Sequence, residues 1–174
     1  DRVAALVEDH GLSLLKQGAL RLLISWCEAV SPPYLKQSAQ IAIIYAWALL
    51  LSGRADAVSD CLVHAEAVLE KEENLNLTGH IAAIRSYLAH LQSNPDAAAE
   101  QAARALRYLD ADNLGIRAVA HFVMGGVELR RGRIEQARDA MATAAEMGWA
   151  GGNPHLAFSA ANAQAEMERR LGRL

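Results

Sequence analysis

Breakers that separate paired helices, glycine in most cases, recur along this chain at a nearly constant interval. Gly53, the Ser93 position and Gly132 fall about 40 residues apart, Gly172 continues the series, and Gly18 precedes it at a shorter interval. Small or apolar residues follow each at matching offsets: Val58, Leu62 and Ala65 in one unit, Ala98, Ala102 and Ala105 in the next, Ala137, Met141 and Ala144 in the third. The local words recur too, as Gly53-Arg54, Gly132-Arg133 and Gly172-Arg173. A tight turn between antiparallel helices needs a residue that accepts positive φ, hence glycine. Close helix contact needs small side chains, hence alanine. Each helix pair leaves one apolar face that only the next pair can cover. The pattern predicts an all-α protein, an α-solenoid of stacked antiparallel helix pairs in a single domain over 1–174, rather than a closed four-helix bundle.

Composition agrees with that reading. About a fifth of the residues are alanine, and leucine, glutamate and arginine are abundant, which favours helix. No stretch alternates apolar and polar residues with period two, so no strand is expected. The breakers Gly18, Pro32-Pro33, Gly53, Asn94-Pro95, Asn113, Gly132, Gly151-Gly152 and Pro154 delimit about nine helices. These are expected near 2–16, 19–30, 35–52, 54–72, 77–92, 95–109, 114–131, 133–148 and 154–171. Asn94-Pro95 and Asn153-Pro154 each place a capping side chain before a proline suited to the first turn, and Asp112 or Asn113 can cap the helix that follows.

The 174 residues are 52% hydrophobic, with a formal net charge of -3, so the chain can bury a core and is not a solvated polymer. Even Ile41–Leu51 falls short of the roughly 18 residues of a membrane span. No basic segment followed by an apolar one opens the chain, so no secretory signal is read and a cytoplasmic setting is expected. A sequence pI of about 6.1 argues against a general nucleic-acid binder. Cys27 and Cys61 lack CxxC spacing and read as buried thiols in a reducing compartment.

Catalytic and metal motifs do not emerge. His10, His64, His80, His90, His121 and His155 form no HExxH motif and no zinc-like pair. No Gly-x-Ser-x-Gly elbow occurs, and no cysteine or serine has an evident activating base, so the chain reads as a non-enzyme without metal or cofactor of its own. Glu70-Lys71-Glu72-Glu73 reads as a solvated helix end. Arg130, Arg131 and Arg133 read as partners of a helix C-terminus, with an anion patch as the alternative. Glu166 and Arg170 form an i,i+4 surface pair. Trp26, Tyr45 and Phe158 are expected between helices, and Trp149 at a corner before Gly151-Gly152.

The offsets resemble the tetratricopeptide (TPR) pattern, best in the unit with Gly125, Gly132, Ala137, Met141 and Ala144. The period is longer than the usual 34 residues of that repeat, which implies longer helices. That register implies a concave face lined by the first helix of each pair, with Gln40, Trp47, His80, Tyr87, His90, Phe122, Arg130, Asn162, Glu166 and Arg169 directed into it. Aromatic rings with a few polar groups are what a small-ligand or peptide groove needs. Core packing is the competing role, above all for Trp47 and Phe122.

Three longer words narrow the resemblance. Ile43-Ile44-Tyr45-Ala46-Trp47-Ala48-Leu49-Leu50-Leu51-Ser52-Gly53-Arg54 resembles a segment of the MalT-like, ATP-dependent LuxR-type bacterial transcription regulators. His10-Gly11 with Leu14-Leu15, then Leu23-Ile24-Ser25-Trp26-Cys27-Glu28-Ala29-Val30, is similar to the helical pair before it. Gly151-Gly152-Asn153-Pro154-His155-Leu156-Ala157 is similar to a corner of the same region. The resemblance implies a large regulator with an ATPase module, a winged-helix linker, a TPR-like sensor and a C-terminal helix-turn-helix. It implies that this chain is the sensor, binding a small-molecule effector or partner protein and docking other domains of the parent regulator. No phosphate-cradling Gly-x-x-x-x-Gly-Lys run and no basic recognition helix occur here, so ATP is expected only in an N-terminal module outside the chain, and no direct contact with nucleic acid or membrane is expected. The chain opens on Asp1 and stops at the beginning of a further repeat, as a piece of a longer protein would. A generic TPR-like scaffold for a peptide or partner protein is the alternative.

Overall fold

Helix after helix ends at a residue in the left-handed region. In the computed structural model, which describes residues 1–173, φ is positive at Gly18, Gly53, Ser93, Gly132, Gly152 and Gly172. Each turn repeats one pair of hydrogen bonds. Gly132 N–H donates to the Leu129 carbonyl (3.0 Å) and Arg133 N–H to the Glu128 carbonyl (2.9 Å). Gly53 and Arg54 donate likewise to Leu50 and Leu49, and Ser93 and Asn94 to His90 and Ala89. This Schellman arrangement satisfies the last carbonyls of a helix while reversing the chain.

The helices are α1 (Arg2–Lys16), α2 (Leu20–Ala29), α3 (Pro32–Leu35), α4 (Ala39–Leu51), α5 (Val58–Leu69), α6 (Leu75–Leu91), α7 (Pro95–Tyr108), α8 (Leu114–Arg130), α9 (Ile134–Ala150) and α10 (Pro154–Arg170), with a 3-10 turn at Ala55–Ala57. No strand occurs among the described residues. Two of the three expected caps form: Asn94 Oδ1 accepts from Ala97 N–H and Asn153 Oδ1 from Leu156 N–H, both at 3.2 Å, whereas Asn113 stands at the start of α8 without a side-chain cap hydrogen bond. Three boundaries differ from expectation. Pro32 and Pro33 open the short α3 instead of merely breaking the chain, because proline suits a first turn. The helix expected from residue 35 begins at Ala39, where the Ser38 hydroxyl caps Ile41 N–H. The one expected from residue 54 begins as the 3-10 turn.

The chain divides into two units, Asp1–Ile84 and Arg85 onward, with the division inside α6. In the first, α1, α2 and α4 pack on one another and α5 packs on α4. Val7, Leu23, Cys27, Ile41, Ile44 and Ala48 form its core, with Trp26 and Tyr45 partly buried against it. Helix α4 is buried almost all round, as its unbroken apolar run requires. Cys27 is buried and Cys61 half-buried, both as free thiols. Burial pushes their pKa values up to about 12 and about 11.

In the second unit α7 packs on α8, α8 on α9 and α9 on α10. Ala137, Met141, Ala144, Ala160 and Met167 are central. All the recurring offset positions are buried in both units: Val58, Leu62 and Ala65, Ala98, Ala102 and Ala105, Ala137, Met141 and Ala144. Gly125 lets α8 and α9 close up, since a Cβ there would stand 2.8 Å from Met141 Cε and 3.2 Å from the Ala137 carbonyl oxygen. Phe158 and Trp149 depart from expectation. They are 62% and 58% exposed, on helix faces that no element covers among the described residues. No described helix is long and apolar enough to cross a membrane.

Candidate functional site

The expected groove residues separate into three groups. In the first unit, Trp47 on α4 and His80 on α6 are almost wholly buried. Trp47 Nε1–H donates to His80 Nδ1 at 3.3 Å. Burial lowers the His80 pKa to about 4, which keeps the ring neutral and Nδ1 an acceptor. The pair therefore ties α4 to the first part of α6. Gln40 is half-buried, and its Nε2 donates to the Glu8 carbonyl at 3.0 Å, joining α4 to α1.

The second unit gathers Tyr87 and His90 of α6 with Phe122 and Arg130 of α8. Helical spacing puts Tyr87 and His90 on one face of α6. Their rings stack with centroids 6.3 Å apart, and the Phe122 ring meets His90 edge-on at 6.1 Å. The imidazole rests on the α8 backbone at Gly126. A Cβ there would run into His90 Cε1 and stand 3.0 Å from Nδ1. His90 Nδ1 is shut away from solvent and has no hydrogen-bond partner. Burial, and then the Arg130 charge, lower the His90 pKa.

Arg130, at the last turn of α8, is exposed and spends one long hydrogen bond (3.4 Å) on the His90 carbonyl. Its neighbours in sequence are committed elsewhere. Arg131 pairs with Asp96 at 2.7 Å, and Arg133 forks onto the Glu128 carboxylate, holding the Glu128 pKa down. Arg130 makes no ion pair among the described residues. Three rings and one uncompensated guanidinium thus share one locality.

On α10, Asn162 is exposed. Glu166 accepts from Arg169 Nε and Arg170 Nε, each at 2.8 Å. Those bonds pull its pKa down to about 2. Among the described residues Asn162, Glu166 and Arg169 make no hydrogen bond, ion pair or ring contact with the α6–α8 group. No cluster of three or more His, Cys, Asp or Glu side chains is placed to hold a metal ion among the described residues.

Two contributors escape sequence reasoning. Gly126 seats His90; its signal was the glycine doublet Gly125-Gly126, where the repeat needs only one small residue. Arg117 Nη1 donates to the Leu106 and Leu109 carbonyls at 3.0 and 3.1 Å, closing the end of α7. Nothing in its sequence context signals that role.

A protein-family model described as the MalT-like TPR region matches residues 79–174. The HTH-type transcriptional regulator MalT of Vibrio cholerae is 29% identical to this chain over 143 residues, 80% of this chain and 16% of the regulator. The regulator of the same name from Yersinia pestis is 28% identical over 142 residues, again 80% of this chain and 16% of the relative. The chain thus spans a small part of the length of the curated relatives it matches. No solved structure matches it.

Proposed function

Because the chain belongs to the MalT-like TPR region family, we propose that it is the effector-sensing and partner-docking part of a bacterial LuxR-type transcription regulator. The observation that carries this reading is the α6–α8 group. Tyr87, His90 and Phe122 offer aromatic surface, and Arg130 offers a charge without a counter-ion. Ligand sites combine apolar walls with a few polar groups in this way. Helical repeats supply rigid surface for binding and no catalytic constellation of their own.

The mechanism is a population shift. An effector lodged between α6 and α8 favours one arrangement of these helices, which changes how the regulator's other modules contact this one and how the regulator self-associates. It can do so only through a difference in affinity for the two arrangements. ATP and DNA are handled by modules outside these residues, in the cytoplasm. A second reading, a docking scaffold for a partner protein, draws support from the exposed Trp149 and Phe158, since large aromatic rings anchor protein interfaces.

A thermal-shift screen of sugars, amino acids, nucleotides, aromatic acids and short peptides tests the proposal, with a Tyr87→Ala/His90→Ala double variant in parallel. A ligand at 100 times its Kd adds about 2.7 kcal/mol, or about 5–10 °C for a chain of this size. The expected result is a hit that the folded variant loses. A panel without hits, together with capture of a partner domain through Trp149 and Phe158, overturns effector sensing in favour of the scaffold.

A further inference from the structure

Resting on the effector reading above, we infer that the α6–α8 group selects an aromatic carboxylate: a flat ring against Tyr87, His90 and Phe122 with its carboxylate forked onto Arg130. Charge is the first ground. The arginines flanking the site in sequence are neutralised, Arg131 by Asp96 and Arg133 by Glu128. Of the three, Arg130 has no carboxylate partner among the described residues, and its single bond to the His90 carbonyl leaves most of its five N–H donors available. Arginine matches a carboxylate bidentately, with short charge-assisted hydrogen bonds.

The imidazole supplies the second ground. His90 Nδ1 is the nitrogen sealed against Gly126, where nothing can take a proton from it. The ring's one hydrogen therefore belongs on Nε2, as a donor, which suits an anion. With His90 neutral, the site presents a single positive charge, matched by one carboxylate. The rings supply the third ground. Tyr87, His90 and Phe122 are each half-buried and lie in stacked and edge-on contact, and the ring of an aromatic ligand would join them in the same offset or edge-on fashion.

The 174-residue chain is titrated with benzoate, benzamide and sucrose, following amide and arginine side-chain NMR shifts. Benzoate is expected to perturb α6 and α8 and to bind at least tenfold more tightly than benzamide, the worth of one charge-assisted hydrogen bond. Arg130→Gln, at an exposed position, should abolish that preference and leave benzamide binding unchanged. Arg130→Lys should restore part of it, and Arg107→Gln, an equal change of net charge on α7, should have no effect. If benzamide or sucrose binds at α6–α8 as well as benzoate does, and Arg130→Gln is silent, carboxylate selection is wrong while effector sensing stands. If none of the three perturbs α6 or α8 and the broader panel gives no thermal shift, both fall.

Discussion

Adding one methyl group at Gly126 tests whether His90 is seated as described. In Gly126→Ala the new Cβ meets His90 Cε1 head-on and stands 3.0 Å from Nδ1 and 3.5 Å from Nε2, where carbon contacts settle at about 3.5–4.0 Å. The ring is also in contact with Tyr87 and Phe122, at centroid distances of 6.3 and 6.1 Å. Forcing it aside costs about 1–3 kcal/mol. Alanine returns up to about 1 kcal/mol of helix propensity at a mid-helix position. The net is a loss of about 1 kcal/mol, a fall in Tm of about 2–4 °C. In a His90→Ala background the obstacle is gone, so the same substitution should stabilise by about 1 kcal/mol. The sign reversal corresponds to a coupling of about 2 kcal/mol, measurable as a double-mutant cycle from urea unfolding of the four proteins. Additivity within about 0.5 kcal/mol would show that the imidazole does not lie on Gly126, and the site built around it would go too.

Ser93 occupies the left-handed region, at φ 59°, in the turn where glycine stands in the other repeats. Ser93→Gly should therefore raise the unfolding free energy by about 1 kcal/mol, and an unchanged urea midpoint would refute the strain. The pH dependence follows from His80, with a folded pKa of about 4 against 6.5 unfolded. Between those values the unfolded chain binds a proton that the folded chain refuses, so stability falls as pH drops through about 6.5 and levels off below about 4. The shift amounts to about 3 kcal/mol between pH 7 and pH 4. His90 and His121 are lowered by burial as well and steepen the same window. Urea midpoints across that range should show the slope, and His80→Gln, which can still accept from Trp47, should flatten it; an equally steep variant refutes the assignment.

The repeat was legible because its cause is local. A left-handed turn residue followed by small residues at fixed offsets is written in the sequence, and Ala98, Ala102 and Ala105 are buried as that spacing demands. Helix α3 was hidden because Pro32-Pro33 is compatible both with a break and with a first turn. Phe158 was expected between helices and Trp149 at a corner before Gly151-Gly152, but which face of a helix finds a neighbour is settled by packing, not by the residue. Of the expected groove residues, Tyr87, His90, Phe122 and Arg130 share a locality, since one helical register governs both α6 and α8. Trp47 and His80 are closed on each other across 33 residues of sequence, a pairing no local pattern announces.

The doublet Gly125-Gly126 separates what the fold requires from what the site requires. Gly125 faces α9, where a Cβ would strike Met141 and the Ala137 carbonyl; a repeat of tightly packed helices needs a small residue there. Gly126 faces the other way, toward His90, and the repeat offers no reason for it. A second glycine in the interior of α8 costs about 1 kcal/mol of helix stability relative to alanine, with no packing gain between α8 and α9 to offset it. What it secures is the position of one imidazole, laid against the helix in ring contact with Tyr87 and Phe122 and beside a guanidinium without an ion-pair partner among the described residues. A residue that weakens its own helix while fixing the geometry of a neighbouring polar ring is accounted for by what the ring touches. On the reading proposed above, Gly126 therefore bears on the site through the ring it seats, as Arg130 does through its charge.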